Sequence, residues 1–110
     1  MAITSTQKSP GNMVRFATGR YLDTGAAAAF TITVGFKPRY VKVANLGATG
    51  LATIEYFEGM ADASGLLIIT DGTTSVDVLT GITVSTTGFT LGIQTDVNIT
   101  TEQLSWIAIG

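Results

Sequence analysis

Eight carboxylates, six basic side chains and three tyrosines are the titratable groups of this 110-residue chain, which has neither histidine nor cysteine. Without histidine there is no ordinary general base at neutral pH, no Ser-His-Asp or Cys-His arrangement, and none of the commonest transition-metal ligand. Glu55 and Glu58 form the closest carboxylate pair of note. Glycoside hydrolysis needs two carboxyls converging across one bond, and residues three apart on a strand face opposite sides. Asp71 and Asp77 lack the dense DxDxDG spacing of a calcium loop and read as turn aspartates. No GxxxxGK[ST] or GxGxxG segment is present to cradle a phosphate. The expectation is a protein that is not an enzyme, with no catalytic residues, cofactor or metal.

The basic residues are better placed for binding than for chemistry. Lys8, Arg15, Arg20, Lys37, Arg39 and Lys42 all lie within the first 42 positions, where Asp23 is the single acid, so that part carries net +5. Residues 43–110 carry net −7, and the whole chain −2. Such polarity suits copies that meet head to tail, or one face docking on an oppositely charged partner. Alternatively, early and late strands pair inside one fold and neutralise each other. Residues 37–42 offer three basic side chains around Tyr40, too little for a nucleic-acid stacking surface.

The elements that must position these groups are strands. Threonine occurs 19 times and glycine 13, a composition that favours pleated strands joined by tight turns. Period-two alternation appears at Phe30-Ile32-Val34, Val41-Val43, Val76-Val78 and Ile82-Val84. Strands are predicted near 13–17, 29–35, 39–46, 51–58, 66–70, 75–79, 82–85, 88–93 and 103–109. Asp71-Gly72, the pair Gly47 and Gly50, and Thr87-Gly88 mark turns, and Pro38 opens a strand where its missing N–H does no harm. Glu58 to Gly65 is the one helical candidate. Short strands at this spacing predict an all-β fold, an antiparallel β-sandwich or jelly roll with Greek-key connections.

Length allows one domain, read as an extended N-terminal arm over residues 1–12 and a β-sandwich over 13–110. The arm either packs back along its own domain or crosses to a neighbouring subunit. Hydrophobic residues make up 45% and charged residues 13%, with mean hydropathy +0.41, so apolar surface is expected at an interface. The N-terminus has no apolar h-region, and the uncharged stretch Val78–Thr95 is too rich in threonine and glycine to span a membrane. Synthesis in the cytoplasm follows as an expectation. Trp106, on a last strand that is apolar on both faces, is expected to support the core or a subunit interface. Lys8, Arg15, Arg20 and Trp106 are the candidate partner-binding residues.

The segment Gly35-Phe36-Lys37-Pro38-Arg39-Tyr40-Val41-Lys42-Val43-Ala44-Asn45-Leu46, with Ile54-Glu55-Tyr56-Phe57-Glu58-Gly59-Met60, resembles a pattern in small structural proteins of tailed bacteriophages. Gly81-Ile82-Thr83-Val84, Gly88-Phe89-Thr90-Leu91 and Leu104-Ser105-Trp106-Ile107-Ala108-Ile109-Gly110 are similar to the closing strands of those virion sandwiches. The likeness covers about residues 35–110. It implies a virion component on the capsid exterior, a decoration or cement protein bound to the major capsid protein, often as a homotrimer, with no nucleic acid or membrane partner. It transfers no catalytic residue. The alternative is a tail- or fibre-associated module that binds carbohydrate or a receptor through Tyr21, Tyr40 or Tyr56.

Overall fold

The computed structural model describes residues 15–22, 28–47 and 51–110, which form eight antiparallel strands in one curled sheet. These are β1 (Phe16–Leu22), β2 (Phe30–Thr33), β3 (Tyr40–Asn45), β4 (Thr53–Phe57), β5 (Ser64–Ile68), β6 (Thr74–Val84), β7 (Gly88–Leu91) and β8 (Gln103–Ile109). Their spatial order is β1-β8-β3-β4-β5-β6-β7-β2. From β3 to β7 the chain meanders, whereas the β2–β3 and β7–β8 connections carry it from one part of the sheet to another. The arm of residues 1–12 lies outside the described residues.

The inner face follows from alternation. Leu104, Trp106 and Ala108 on β8, Val41 and Val43 on β3, and Ile54 and Tyr56 on β4 all point inward and are buried. Phe89 and Leu91 on β7 and Ile82 on β6 close the core from the other half of the sheet. Phe89 meets Trp106 edge-on, with ring centroids 5.5 Å apart, although their strands are not neighbours. That contact requires the sheet to fold over itself.

Three sequence expectations are corrected. The first strand, expected near 13–17, runs from Phe16 to Leu22. Its inward residues Ala17, Gly19 and Tyr21 include two with little or no side chain, so its alternation carries almost no hydrophobic signal. The segments 75–79 and 82–85 belong to one strand, β6, which pairs with β5 through Asp77 and again through Ile82 while residues 78–81 bulge out between. The predicted short helix over 58–65 is a pair of turns. Gly59 and Ala63 take φ of 99° and 57°, and residues 64–65 already belong to β5.

Buried amides fix the long β7–β8 connection. Gln94 Oε1 accepts hydrogen bonds from the N–H groups of Asp96 and Val97. Asn98 Nδ2 donates to the carbonyls of Ala28 and Gly92, and Asn45 Nδ2 donates to that of Val97. Irregular backbone is thereby paired where a ladder is missing. Among the described residues, no helix is long and apolar enough to cross a membrane.

Candidate interaction surface

The two halves of the sheet differ on their outer faces. On β6, β7 and β2 the outward row is Thr83, Thr90 and Thr31, with the last two hydroxyls 2.8 Å apart. Hydroxyls on a pleated face are well solvated, so this row needs no cover. On β1, β8, β3 and β4 the corresponding row is Phe16, Ile109, Tyr40 and Phe57, directly paired from strand to strand. Phe16 is 59% exposed and Phe57 47%. Tyr40 and Phe57 touch with ring centroids 5.3 Å apart. One step further along the strands lies a second row, Thr18, Ile107, Lys42 and Glu55. The unbroken apolar character of the last strand thus serves two surfaces: Trp106 and Ala108 face the core, Ile107 and Ile109 the outside.

Two further groups of exposed apolar side chains lie elsewhere. Leu22, Leu46 and Leu51 stand where β1 and β3 end and β4 begins. Val76, Val78 and Leu79 project from β6 at its bulge, Leu79 at 82% exposure. The bulge is held by Asp77, whose Oδ1 accepts from Leu79 N–H and Thr80 N–H and whose Oδ2 accepts the Thr80 hydroxyl at 2.7 Å. Burial pushes the Asp77 carboxyl up, but the Thr80 and Leu79 donors and the Gln94 side chain outweigh it and hold the group below its ordinary range. Gly92 N–H bonds to Gly81 O, which carries exposed Ile93 close to the same bend.

The carboxylates singled out from sequence each have a structural occupation. Glu55 accepts the Tyr40 hydroxyl at 2.5 Å on the outer face. Burial, and then this bond and the charge of Glu55, push the Tyr40 phenol up to about 12. Glu58 lies past the end of β4 and pairs with Arg39 at 3.4 Å. Asp71 caps the β5–β6 turn through Thr73, whose hydrogen bonds lower its carboxyl. No group of three carboxylate, histidine or cysteine side chains gathers among the described residues.

Charge polarity in sequence becomes two things in space. Part of it cancels across the ladder, since Lys42 stands directly opposite Glu55 and Arg39 pairs with Glu58. Much of the rest separates along the strands, with Asp62 in the β4–β5 connection left at the basic end. Arg15 and residues 36–39 gather around Gly110 at one end, where Gly110 N–H bonds to Arg15 O and Arg39 N–H to Ile109 O. Asp71, Asp96 and Glu102 lie in the connections at the opposite end, which hold no lysine or arginine among the described residues.

Of the candidate partner-binding residues, Lys8 lies outside the described residues. Arg15 is exposed at the foot of β1, and Arg20 is exposed on its outer face. Trp106 is 8% exposed and belongs to the core. Of the tyrosines suggested as sugar platforms, Tyr56 is buried, Tyr21 has one ring face covered by Phe30, and Tyr40 is bonded to Glu55. Sequence reasoning passed over Phe16 and Leu79. The doubly apolar last strand was the signal that pointed to a covered outer face beside Phe16, whereas nothing in the alternation marks a bulge. Compared with protein-family models, curated proteins and solved structures, the chain shows no match.

Proposed function

We propose that this chain is a structural component of a tailed-phage virion, a decoration or cement protein that seats on the major capsid protein at the capsid exterior and stabilises the head. It works as an assembly element without catalysis. The observation that carries this reading is the division of exposed apolar side chains into three separate groups: the Phe16–Phe57 row, the Leu22-Leu46-Leu51 end and the Val76-Val78-Leu79 bulge. One partner covers one surface, whereas three surfaces suit a part set among several neighbours. Several weak contacts made at once then gain avidity through effective concentration. The phage assignment itself comes from the sequence resemblance of residues 35–110.

The same reading extends to architecture. We take the curled sheet to be of jelly-roll type, supported by eight strands in which the first pairs with the last and the second with the seventh, while the β2–β3 and β7–β8 connections pass between the two halves of the sheet. The rigid bulge at Leu79 is the contact to the shell. Mixing purified protein with capsid shells that lack it, from the phage that encodes it, and sedimenting them tests the proposal. Saturable co-sedimentation that Leu79→Asp abolishes while the β circular dichroism is kept is the expected result. Protein that stays in the supernatant, or a variant that binds as before, defeats it.

A further inference from the structure

We infer that the outer face of β1, β8, β3 and β4 is the surface on which a second copy of this chain docks, about a two-fold axis parallel to the strands. The inference deepens the assembly reading by naming the partner of one of its three surfaces.

Neighbouring strands are about 4.8 Å apart, so the row Phe16–Ile109–Tyr40–Phe57 spans roughly 14 Å. Its outer residues are exposed and its inner ones half-buried, and the threonine face of the same sheet shows that this fold can make a hydrophilic exterior. Two sheets packing face to face lie about 10 Å apart with their strands nearly aligned. A two-fold axis along the strands, passing between β8 and β3, reverses the strand order and keeps the height of every residue. β1 of one copy then lies on β4 of the other, and β8 lies on β3. Phe16 comes opposite Phe57 and Ile109 opposite Tyr40, so the apolar row meets itself along its whole length.

Charge selects the same operation. The β1 margin of this face carries exposed Arg20, and the β4 margin carries Glu55 one row away along the strand. Reversal brings these opposite margins together, so Arg20 of each copy reaches toward Glu55 of the other. Each Lys42 keeps Glu55 of its own sheet as its lateral neighbour, which leaves the row at the axis neutral. An axis perpendicular to the strands within the interface would lay each margin on its own copy, arginine against arginine. A self-complementary patch of this kind closes at two copies.

The absence of cysteine makes the geometry testable by single-cysteine variants of the full chain. Light scattering across a concentration series should give the mass of two chains. Phe16→Ser and Phe57→Ser, both at exposed positions, should each weaken pairing by about tenfold. Phe16→Cys protein mixed with Phe57→Cys protein should be joined by a short bis-maleimide, whereas Phe16→Cys alone should not be, because the two copies of residue 16 lie at opposite margins. Thr90→Cys on the hydroxyl face should give no product. Arg20→Glu should loosen the pair, and Arg20→Glu with Glu55→Arg should restore it. Monomer mass at every concentration, a trimer, or linkage as efficient for Phe16→Cys alone as for the mixture would each overturn the inference. Pairing without binding to capsid shells would leave this interface standing and remove the decoration reading.

Discussion

Tyr21 and Phe30 stack with ring centroids 3.7 Å apart and planes 9° from parallel, and this contact joins the two ends of the sheet. β1 and β2 are the terminal strands of the spatial order, and no ladder links them among the described residues. The curl is therefore held at this point by aromatic packing instead of backbone hydrogen bonds. Phe30 is buried, so Phe30→Ala should lower the unfolding free energy by about 3 kcal/mol. A cycle of Tyr21→Leu, Phe30→Leu and the double variant should give a coupling near 1 kcal/mol in denaturant titrations. Zero coupling would mean that contacts other than this stack hold the two ends together.

Gly19 is the place where β1 lies against the indole of Trp106. A Cβ there would sit 2.6 Å from Cζ2 and 2.8 Å from Cε2 of that ring. The indole is also half of the Phe89 edge contact, so it has little freedom to move aside. Gly19→Ala should destabilise the fold by about 1–3 kcal/mol, in the range of overpacked cores. Because the ring must shift or β1 must lift, tryptophan fluorescence should red-shift in the same variant. Unchanged emission with full stability would show that β1 is not packed as described.

Strand positions that alternate large apolar and polar side chains were legible in sequence: β3, β4, β7 and β8 lie within two residues of their expected bounds. What the period could not show is set by residues without an apolar signal. Gly19 and Ala17 hide the inward face of β1, and the glycine at 81 made one bent strand look like two. Buried Trp106 and exposed Phe57 were both legible as apolar, but which face each occupies depends on register across four strands, and that is a tertiary property. Ala63 at positive φ, which ends the supposed helix, carries no mark in composition.

The bulge of β6 should depend on the ionised form of Asp77. Its folded-state carboxyl is held below the ordinary value, so the stabilisation is complete above the unfolded pKa of about 4 and is lost as pH falls through the lower folded value. Asp77→Ala strands the N–H groups of Leu79 and Thr80 and should cost about 1–2 kcal/mol at neutral pH. The variant should then lose less stability than wild type on acidification. Acid titrations of unfolding for the two proteins check this, and parallel curves would show that Asp77 does not sense the fold.

At the alkaline end Tyr40 is shifted in the opposite direction. Its phenol is pushed up to about 12 by burial first, and then by its bond to Glu55 and the charge of that carboxylate. A folded value above the unfolded one, about 10, favours the neutral phenol in the native state. This contribution to stability is present below pH 10 and disappears as pH rises toward 12. Tyr56 is also raised, by burial and by the charges of Asp62 and Glu58. Comparing phenolate absorbance in wild type and Tyr40→Phe isolates the Tyr40 step. Glu55→Gln should move that step down only part of the way, since burial is the larger cause and survives the substitution. A full return to the ordinary tyrosine value would instead make Glu55 the main cause, and would mean that water reaches the Tyr40 ring freely on the outer face.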